Sequence, residues 1–495
     1  HGREHSFPTR RSSDLVMSVH GMFQYAGYDF AVFDSVADKF RVFSTAGSPA
    51  SLAGWLAACF LLTIGFASVS KSKPSVLLCI PASFMAVCVF LTGSRSGMIA
   101  LASGLIFTTV LLAAGLRGAL PGLVRTIAFT AALSCILIIA GKIVLAPSAN
   151  SARGRNIVAA YSTEFKSGSV KQRTFTLMCA ADMFETHPAI GSGPGSFTVL
   201  YPLAQMKMLR DPDIARKYSR VVTNRIATHA HNEYAEISVE AGALGLLCFL
   251  AVIIFAVRHI ARLAGNNHDN DANMALRIFA GGAFAAMCVQ AAFEFSLHDP
   301  MTALAFWGVL GIACAPASRG NKIAVNGIHL VVAVAAVAAA FYAPRPVFAM
   351  LRMMDASAAA SRGRMEQALQ LMSDARSLDS ASPEVLIGSA AASRMHGDMD
   401  NAISYINDAK KFSNSPELYA VAGRTYAVAG RAAEAENAFL TAIAIDPWKP
   451  VSWFNLSQLY QHTGKYKEAK EAYDRALMLS DMPPYNLDKE NSQKK

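Results

Sequence analysis

Long apolar runs broken by short polar loops fill the first two thirds of the chain, and from about residue 352 the pattern turns to the mixed spacing of water-soluble helices. A helix rising about 1.5 Å per residue needs about 20 apolar residues to cross a hydrocarbon core of about 30 Å. Eight segments meet or approach that length, at roughly 50 to 69, 75 to 92, 96 to 115, 123 to 145, 236 to 257, 276 to 297, 300 to 316 and 324 to 343. The pattern therefore predicts an all-α chain: a polytopic membrane domain over 16–345, then a separate helical domain over 352–482 and a polar tail over 483–495.

Short loops that keep Lys and Arg stay on the cytoplasmic side. Lys71 and Lys73, then Arg117 and Arg125, then Arg258, Arg262 and Arg277, then Arg319 and Lys322 fall on one side of the alternation. The long stretch 146–235 and the C-terminal domain fall on the other. Both are thus expected outside a bacterial plasma membrane, on the periplasmic face. His1 to Leu15, HGREHSFPTRRSSDL, resembles translated sequencing-adapter DNA and is set aside from fold reasoning. Further membrane helices are expected to precede residue 16 in the intact protein.

Composition sharpens this reading. Charged residues make up 16% and hydrophobic residues 53% of the 495 positions, against about 25% charge in an ordinary soluble domain. A purely soluble enzyme is excluded. The net charge of +10 does not signal nucleic acid, because the cations sit in short loops and form no basic stripe. The eight cysteines show neither zinc spacing nor a disulfide framework.

The C-terminal domain has a period. Pro416, Pro450 and Pro484 are 34 residues apart, and Gly363, Gly397, Gly430 and Gly464 are 34, 33 and 34 apart, each with an alanine five residues on, at Ala368, Ala402, Ala435 and Ala469. This resembles the tetratricopeptide repeat, a helix-turn-helix unit whose glycine permits the tight turn and whose alanine lets two helices pack closely. Three full repeats and a half repeat at the front are expected, serving as a scaffold for a protein or polymer partner.

Chemistry is sought where an ionisable group lies at the edge of a membrane helix, because such a group must meet water, a partner or a substrate. Arg95, in LTGSRSGMIAL, stands at the outer end of the third apolar segment among Gly93, Ser94, Ser96 and Gly97. Snorkelling to lipid headgroups is the bland alternative. Arg173 begins RTFTLMCAADMFETHP, an amphipathic helix predicted to place it on one apolar face with Leu177, Ala181 and Phe184. It suits an anion at the membrane surface or an ion pair with a nearby acid. His231, in THAHNEYAEISVEAGALG, precedes the fifth apolar segment, and Ala235, Ser238, Gly242 and Gly245 stack below it as a stripe of small residues. A neutral imidazole there can accept a proton from a hydroxyl. Glu233, Glu236 and Glu240 share one side of that segment and are expected to pair with Arg216, Arg220 or Arg225. HPAIGSGPGSF at His187 to Phe197 follows a helix rather than a strand, so it is read as a tight outside turn and not a dinucleotide fingerprint. No catalytic triad and no metal cluster is legible.

Together TGSRSG at Thr92 to Gly97, the run from Arg173 through HPAIGSGPGSF, and HAHNEY with the following helix resemble the O-antigen ligase and polysaccharide polymerase superfamily of bacterial membrane glycosyltransferases. His231 and Asn232, nine residues, Gly242, two residues and Gly245 reproduce the ligase spacing. DKFRVFSTAGSPASLAG, at Asp38 to Gly54, also looks like a family segment. The resemblance covers about 20 to 315.

The resemblance implies transfer of a glycan from an undecaprenyl-diphosphate carrier to an acceptor hydroxyl at the outer face of the membrane, without a metal or other cofactor and with inversion. Arg95 and Arg173 would hold the diphosphate, His231 would be the general base, and Asn232, Glu233, Arg225 and His229 would line the substrate site. Lipid A core as acceptor makes a ligase, a growing glycan a polymerase, and a protein hydroxyl an O-oligosaccharyltransferase. Two readings without transfer stand beside these, a lipid-linked glycan transporter and a membrane-tethered repeat scaffold.

Overall fold

A computed structural model describes residues 17–19, 22, 48–69, 77–144, 168–222, 226–264, 271–295, 297–315 and 344–480. All regular elements among them are helices, and the chain divides into two compact units. The 1–15 segment, most of the Asp38 to Gly54 stretch, the 324–343 segment, the 483–495 tail and Arg225 lie outside the described residues.

The first unit contains α1 (Pro49–Val69), α2 (Cys79–Leu91), α3 (Arg95–Gly115), α4 (Leu120–Val144), α8 (Glu233–Ala264), α9 (Asp271–Ala291) and α10 (Pro300–Ala313). Five stretches are long and apolar enough to cross a membrane: Pro49–Ser68, Arg95–Gly115, Arg117–Ile139, Glu233–Ala264 and Met274–Ala291. Helices α2 and α10, predicted as spans, have 13 and 14 residues, or roughly 20 Å of rise, and are too short to cross unaided.

Helix α9 forms the centre of this unit, packing on α1, α3 and α10 with Phe279 and Phe284 fully buried. Its approach to α3 depends on two glycines. A Cβ on Gly104 would lie 2.6 Å from the Gly282 carbonyl, and one on Gly282 would lie 2.8 Å from the Gly104 carbonyl. Such small-residue crossings let helices gain dispersion contact where lipid supplies no hydrophobic drive. By contrast, α3, α4 and α8 leave Ile106, Val110, Ile136, Leu247 and Phe255 exposed, as lipid-facing surfaces require.

The second unit joins α5 (Gly168–Thr186), α6 (Ser196–Met208) and α7 (Pro212–Val222) to eight helices of the C-terminal domain. These eight are α11 (Arg345–Ser361), α12 (Met365–Leu378), α13 (Pro383–His396), α14 (Met399–Ala409), α15 (Pro416–Val428), α16 (Ala432–Ile445), α17 (Pro450–His462) and α18 (Tyr466–Ser480). They form four consecutive helix pairs, so the front half repeat of the sequence reading is a complete pair.

The repeat signals act as their chemistry requires. Gly363, Gly397, Gly430 and Gly464 all take positive φ at the turns, a region that costs other residues about 1–2 kcal/mol. Ala368, Ala402 and Ala435 are buried between helices, whereas Ala469, in the last helix, is only partly covered. Pro383, Pro416 and Pro450 open helices, where a missing N–H costs nothing. First helices of successive repeats approach one another more closely than second helices do. They therefore form the inner wall of the solenoid.

The 168–222 segment packs on this solenoid. Gln205 donates from Nε2 to the Ile445 carbonyl at 3.0 Å, and Asn414 donates from Nδ2 to the Val199 carbonyl at 3.0 Å. Within the segment, Phe175 meets Tyr218 at 5.5 Å and Lys207 pairs with Asp182.

Candidate functional site

The TGSRSG turn is built from its own hydroxyls. Thr92 donates from Oγ1 to the Val89 carbonyl at 2.6 Å and accepts the Ser94 N–H at 3.1 Å, and Ser94 Oγ accepts the Gly97 N–H at 3.2 Å as an N-cap. Gly93 supplies the positive φ, and Gly97 leaves room for Ala53 of α1. The small residues expected to admit a ligand thus form the turn, the cap and a helix contact. Arg95 is the first residue of α3, at the end where the helix dipole disfavours a cation by about 0.3–1 kcal/mol.

Arg173 lies on α5 in the other compact unit. The buried face of α5 is Phe175, Thr176, Cys179, Ala180 and Met183. The face of Leu177 and Ala181 is the open one: Leu177 is 39% exposed and Ala181 is exposed as well. The apolar residues of this helix surround more than one face, and the aromatic Phe175 with its Tyr218 partner determined which was buried. Arg173 stands beside the open face.

The start of α8 carries the densest chemistry among the described residues. Asn232 accepts the Ala235 N–H at 3.0 Å through Oδ1 and caps the helix. One residue earlier, His231 has φ of 51°, the sole positive φ outside glycine among the described residues. Backbone in that region is uncommon for a non-glycine residue and is held by its surroundings. Glu236 reaches back over the turn, accepting the Ala230 N–H at 2.9 Å through Oε2 and meeting His229 Nδ1 at 2.8 Å through Oε1. Glu233, 0% exposed, accepts the Leu297 N–H and lies 3.3 Å from His298 Nδ1. His298 Nε2 is 3.4 Å from Glu236.

These contacts correct two expectations. Among the described residues Glu233 and Glu236 pair with His298 and His229, and Arg216 pairs with Asp213 at 3.1 Å. Glu233, expected to touch substrate, is enclosed and ties α8 to the loop before α10. The carboxylate of Glu233, helped by Glu236 and Glu240, outweighs partial burial and pushes the His298 imidazole up to about 9.

His231 faces a separate acid. Its Nδ1 lies 3.5 Å from Oε2 of Glu294, which is buried after α9. Phe295 stands between the two histidines of the motif, stacked on His229 at 4.6 Å and meeting His231 edge-on at 5.3 Å. An imidazole that directs Nδ1 to a carboxylate has Nε2 left to take a proton.

Gly242 and the HPAIG turn form one device. Helix α8 breaks at Gly242, with φ 67° and ψ −169°. A Cβ there would strike the backbone of Ala189 and Gly191, and the Ala243 and Leu244 N–H groups, freed by the break, donate to the Pro188 and Ala189 carbonyls at 2.8 and 3.1 Å. The first glycine of the ligase spacing thus seats the turn at Ala189 and Gly191, far upstream in the chain. The expected continuous stripe below His231 is interrupted at that point.

His229, Glu236 and His298 offer ligand atoms within 4.8 Å of one another, so three potential metal donors lie together where the sequence showed no cluster. Glu294 and His298 lie 63 and 65 residues along the chain from their partners His231 and Glu233, so no local pattern joins them to the motif. The usable signal was the coincidence of three histidines at one predicted membrane face.

The O-Antigen ligase family model matches residues 80–250, a span containing the TGSRSG turn, Arg173, the HPAIG turn and the His231 motif. Residues 80–250 match the O-antigen ligase family. A tetratricopeptide repeat model matches 450–481. Among curated proteins no sequence matches. Two solved structures resemble parts of the chain: "Crystal structure of MamA", at 19% identity, covers 27% of this chain and 78% of its own with TM-score 0.25. "Crystal structure of APC/C hetero-tetramer Cut9-Hcn1", at 14% identity, covers 82% of this chain and 76% of its own with TM-score 0.27. With its apolar helices this is a multi-pass membrane protein, in which residues 80–250 match the O-antigen ligase family and residues 450–481 match a tetratricopeptide repeat.

Proposed function

We propose that the chain transfers a glycan from undecaprenyl diphosphate to an acceptor hydroxyl at the outer, periplasmic face of the bacterial inner membrane. The observation that carries this reading is His231: inside the ligase-matched segment, held at positive φ, with a buried carboxylate facing Nδ1. In this scheme the acceptor oxygen attacks the anomeric carbon while its proton passes to His231 Nε2. The bond from that carbon to the diphosphate oxygen breaks on the opposite face, inverting the centre. Undecaprenyl diphosphate leaves with the electron pair.

Arg95 and Arg173 take the charge of that leaving group. Guanidinium forks bind phosphate oxygens bidentately, and they are most effective where charge develops in the transition state. Arg95 gains little as a helix residue, being at the wrong end for the dipole, which fits a role toward an anion. Asn232 fixes the helix start beside His231, while His229 and Arg225 are assigned to the sugar-binding side. The scheme gives the charge-neutralising role to arginine rather than to a metal.

One observation favours a polymeric or protein acceptor over lipid A core, making the protein a polymerase or an O-oligosaccharyltransferase. The 168–222 part of the ligase segment packs on the repeats through Gln205 and Asn414. An acceptor held by the solenoid would be carried to the ligase loop.

The test is transfer by purified full-length protein supplied with lipid-diphosphate glycan and each acceptor class, comparing wild type with Arg95→Ala, Arg173→Ala and His231→Ala. The reading expects product from wild type and a loss of at least about 100-fold in each variant. Equal transfer by all three variants overturns the site. Glycan translocation without transfer would identify a transporter, and neither activity would leave a scaffold.

A further inference from the structure

Two imidazoles converge on one carboxylate oxygen at the start of α8. Glu236 Oε1 lies 2.8 Å from His229 Nδ1 and 3.4 Å from His298 Nε2, and the three side chains offer donor atoms within 4.8 Å of one another. They come from three places in the chain: the turn before α8, the first turn of α8 and the loop between α9 and α10. Glu236 is buried, while the His229 and His298 side chains are 27% and 33% exposed, so the cluster opens to water on its imidazole side. Behind it stands a second carboxylate. Glu233 is 0% exposed, and its Oε1 meets His298 Nδ1 at 3.4 Å. Its Oε2, 3.3 Å from the same nitrogen but poorly aligned, is buried without a hydrogen-bond partner. Among the described residues the ion-pair partners of both acids are histidines.

This arrangement meets the requirements of a transition-metal site. Zinc holds imidazole nitrogens and carboxylate oxygens at about 2.0–2.2 Å, so neighbouring donors of a tetrahedron stand roughly 3.4 Å apart. The His298–Glu236 pair has that spacing already, and the His229–Glu236 pair reaches it by opening roughly half an ångström. A ligating histidine usually donates its other ring N–H to a carboxylate, which fixes the tautomer and aims the ring. Glu233 stands in that position for His298: with Nδ1 turned to the carboxylate, Nε2 is directed at the cluster. The charges agree with the geometry. Two ionised carboxylates beside two neutral imidazoles leave a double negative charge in a desolvated place, and a divalent cation cancels it. Two nitrogen donors select a first-row transition ion over magnesium or calcium, which take oxygen ligands.

We propose that His229 Nδ1, Glu236 Oε1 and His298 Nε2 bind a divalent cation of the zinc class, with Glu233 orienting His298 from outside the ligand set. Three protein ligands leave the fourth position to water on the exposed side. The ion is structural: it joins the turn before α8 to the loop before α10, and no step of the transfer scheme passes through it. His229 keeps Nε2 for the sugar-binding side. The proposal stands whether or not the transfer reading does, because it concerns metal binding alone.

The experiment titrates zinc into tag-free, chelator-stripped full-length protein in detergent, by calorimetry and by thermal melting, with magnesium as the control ion. Wild type should take up zinc and melt higher as zinc rises, because an ion that binds only the fold stabilises it, and magnesium should do neither. His298→Gln and His229→Gln each remove a ligand and should weaken this binding by about 100-fold or more, while Glu233→Gln, which keeps all three ligands, should weaken it by about 10–100-fold. His462→Gln, in the repeat domain, should bind as wild type does. X-ray absorption at the zinc edge of the wild type, loaded with one ion per chain, needs no variant and should show two imidazole nitrogens at about 2.0–2.1 Å. Absence of imidazole scattering, no zinc uptake by wild type, unchanged binding in His298→Gln, or magnesium binding as tightly as zinc overturns the proposal.

Discussion

The start of α8 and the inner wall of the solenoid bury charge in opposite ways. Around the start of α8, each buried acid meets a donor: Glu236 has the Ala230 N–H and His229, Glu233 has Leu297 and His298, and Glu294 has His231. On the solenoid wall, Arg394 Nε is buried without a hydrogen-bond partner among the described residues, and its charge lies near that of Arg424. The difference separates charges that are matched inside the fold from charges that are not. Removing one partner from a matched buried set leaves an orphan group, while removing an unmatched charge relieves a cost.

The largest expected structural effect comes from the backbone that holds the matched set. Gly242→Ala would place a Cβ against the Ala189 and Gly191 backbone at positive φ, and should cost about 3 kcal/mol or more of stability. Chemical denaturation in detergent reads this directly. If Gly242→Ala is as stable as wild type, the docking of the HPAIG turn on α8 is wrong. Glu236→Gln keeps the shape but weakens the bonds to the Ala230 N–H and His229, and about 1–3 kcal/mol should be lost. The same substitution logic applied to Arg424 predicts no loss, which is the sharpest contrast between the units.

A smaller effect is set by pH. His298 is raised from 6.5 to about 9 in the fold, chiefly by Glu233. A raised histidine contributes stability that is fully present below its unfolded value and is lost as pH climbs through the folded one. Stability should therefore decline between pH 6.5 and about 9, and His298→Gln should flatten that part of the profile. A wild-type profile already flat over that window would contradict the pairing.

Much of this was legible in the sequence. The apolar runs gave seven of the eight predicted segments as helices, with the eighth outside the described residues. The Gly and Ala period gave the solenoid, because turn and close-packing requirements recur at fixed spacing. Lengths were less legible: α2 and α10 are apolar throughout yet end early, since hydropathy alone does not show where a helix stops. Which face of α5 is buried was not legible, because Leu177 and Phe175 are both apolar and the tertiary partner Tyr218 distinguishes them. Pairings across distant residues, such as Glu233 with His298 or His231 with Glu294, carry no local signal. They depend on how α9 and α10 return the chain to the start of α8.

The central claim is that His231 accepts the acceptor's proton. Its most direct test is the single-turnover transfer rate of full-length wild type and His231→Ala at equal donor occupancy, followed across pH. The account predicts a rate lower by about 100-fold or more in the variant, with donor binding retained and the wild-type rise with pH abolished. A variant that transfers at the wild-type rate, with the same pH dependence, would contradict it.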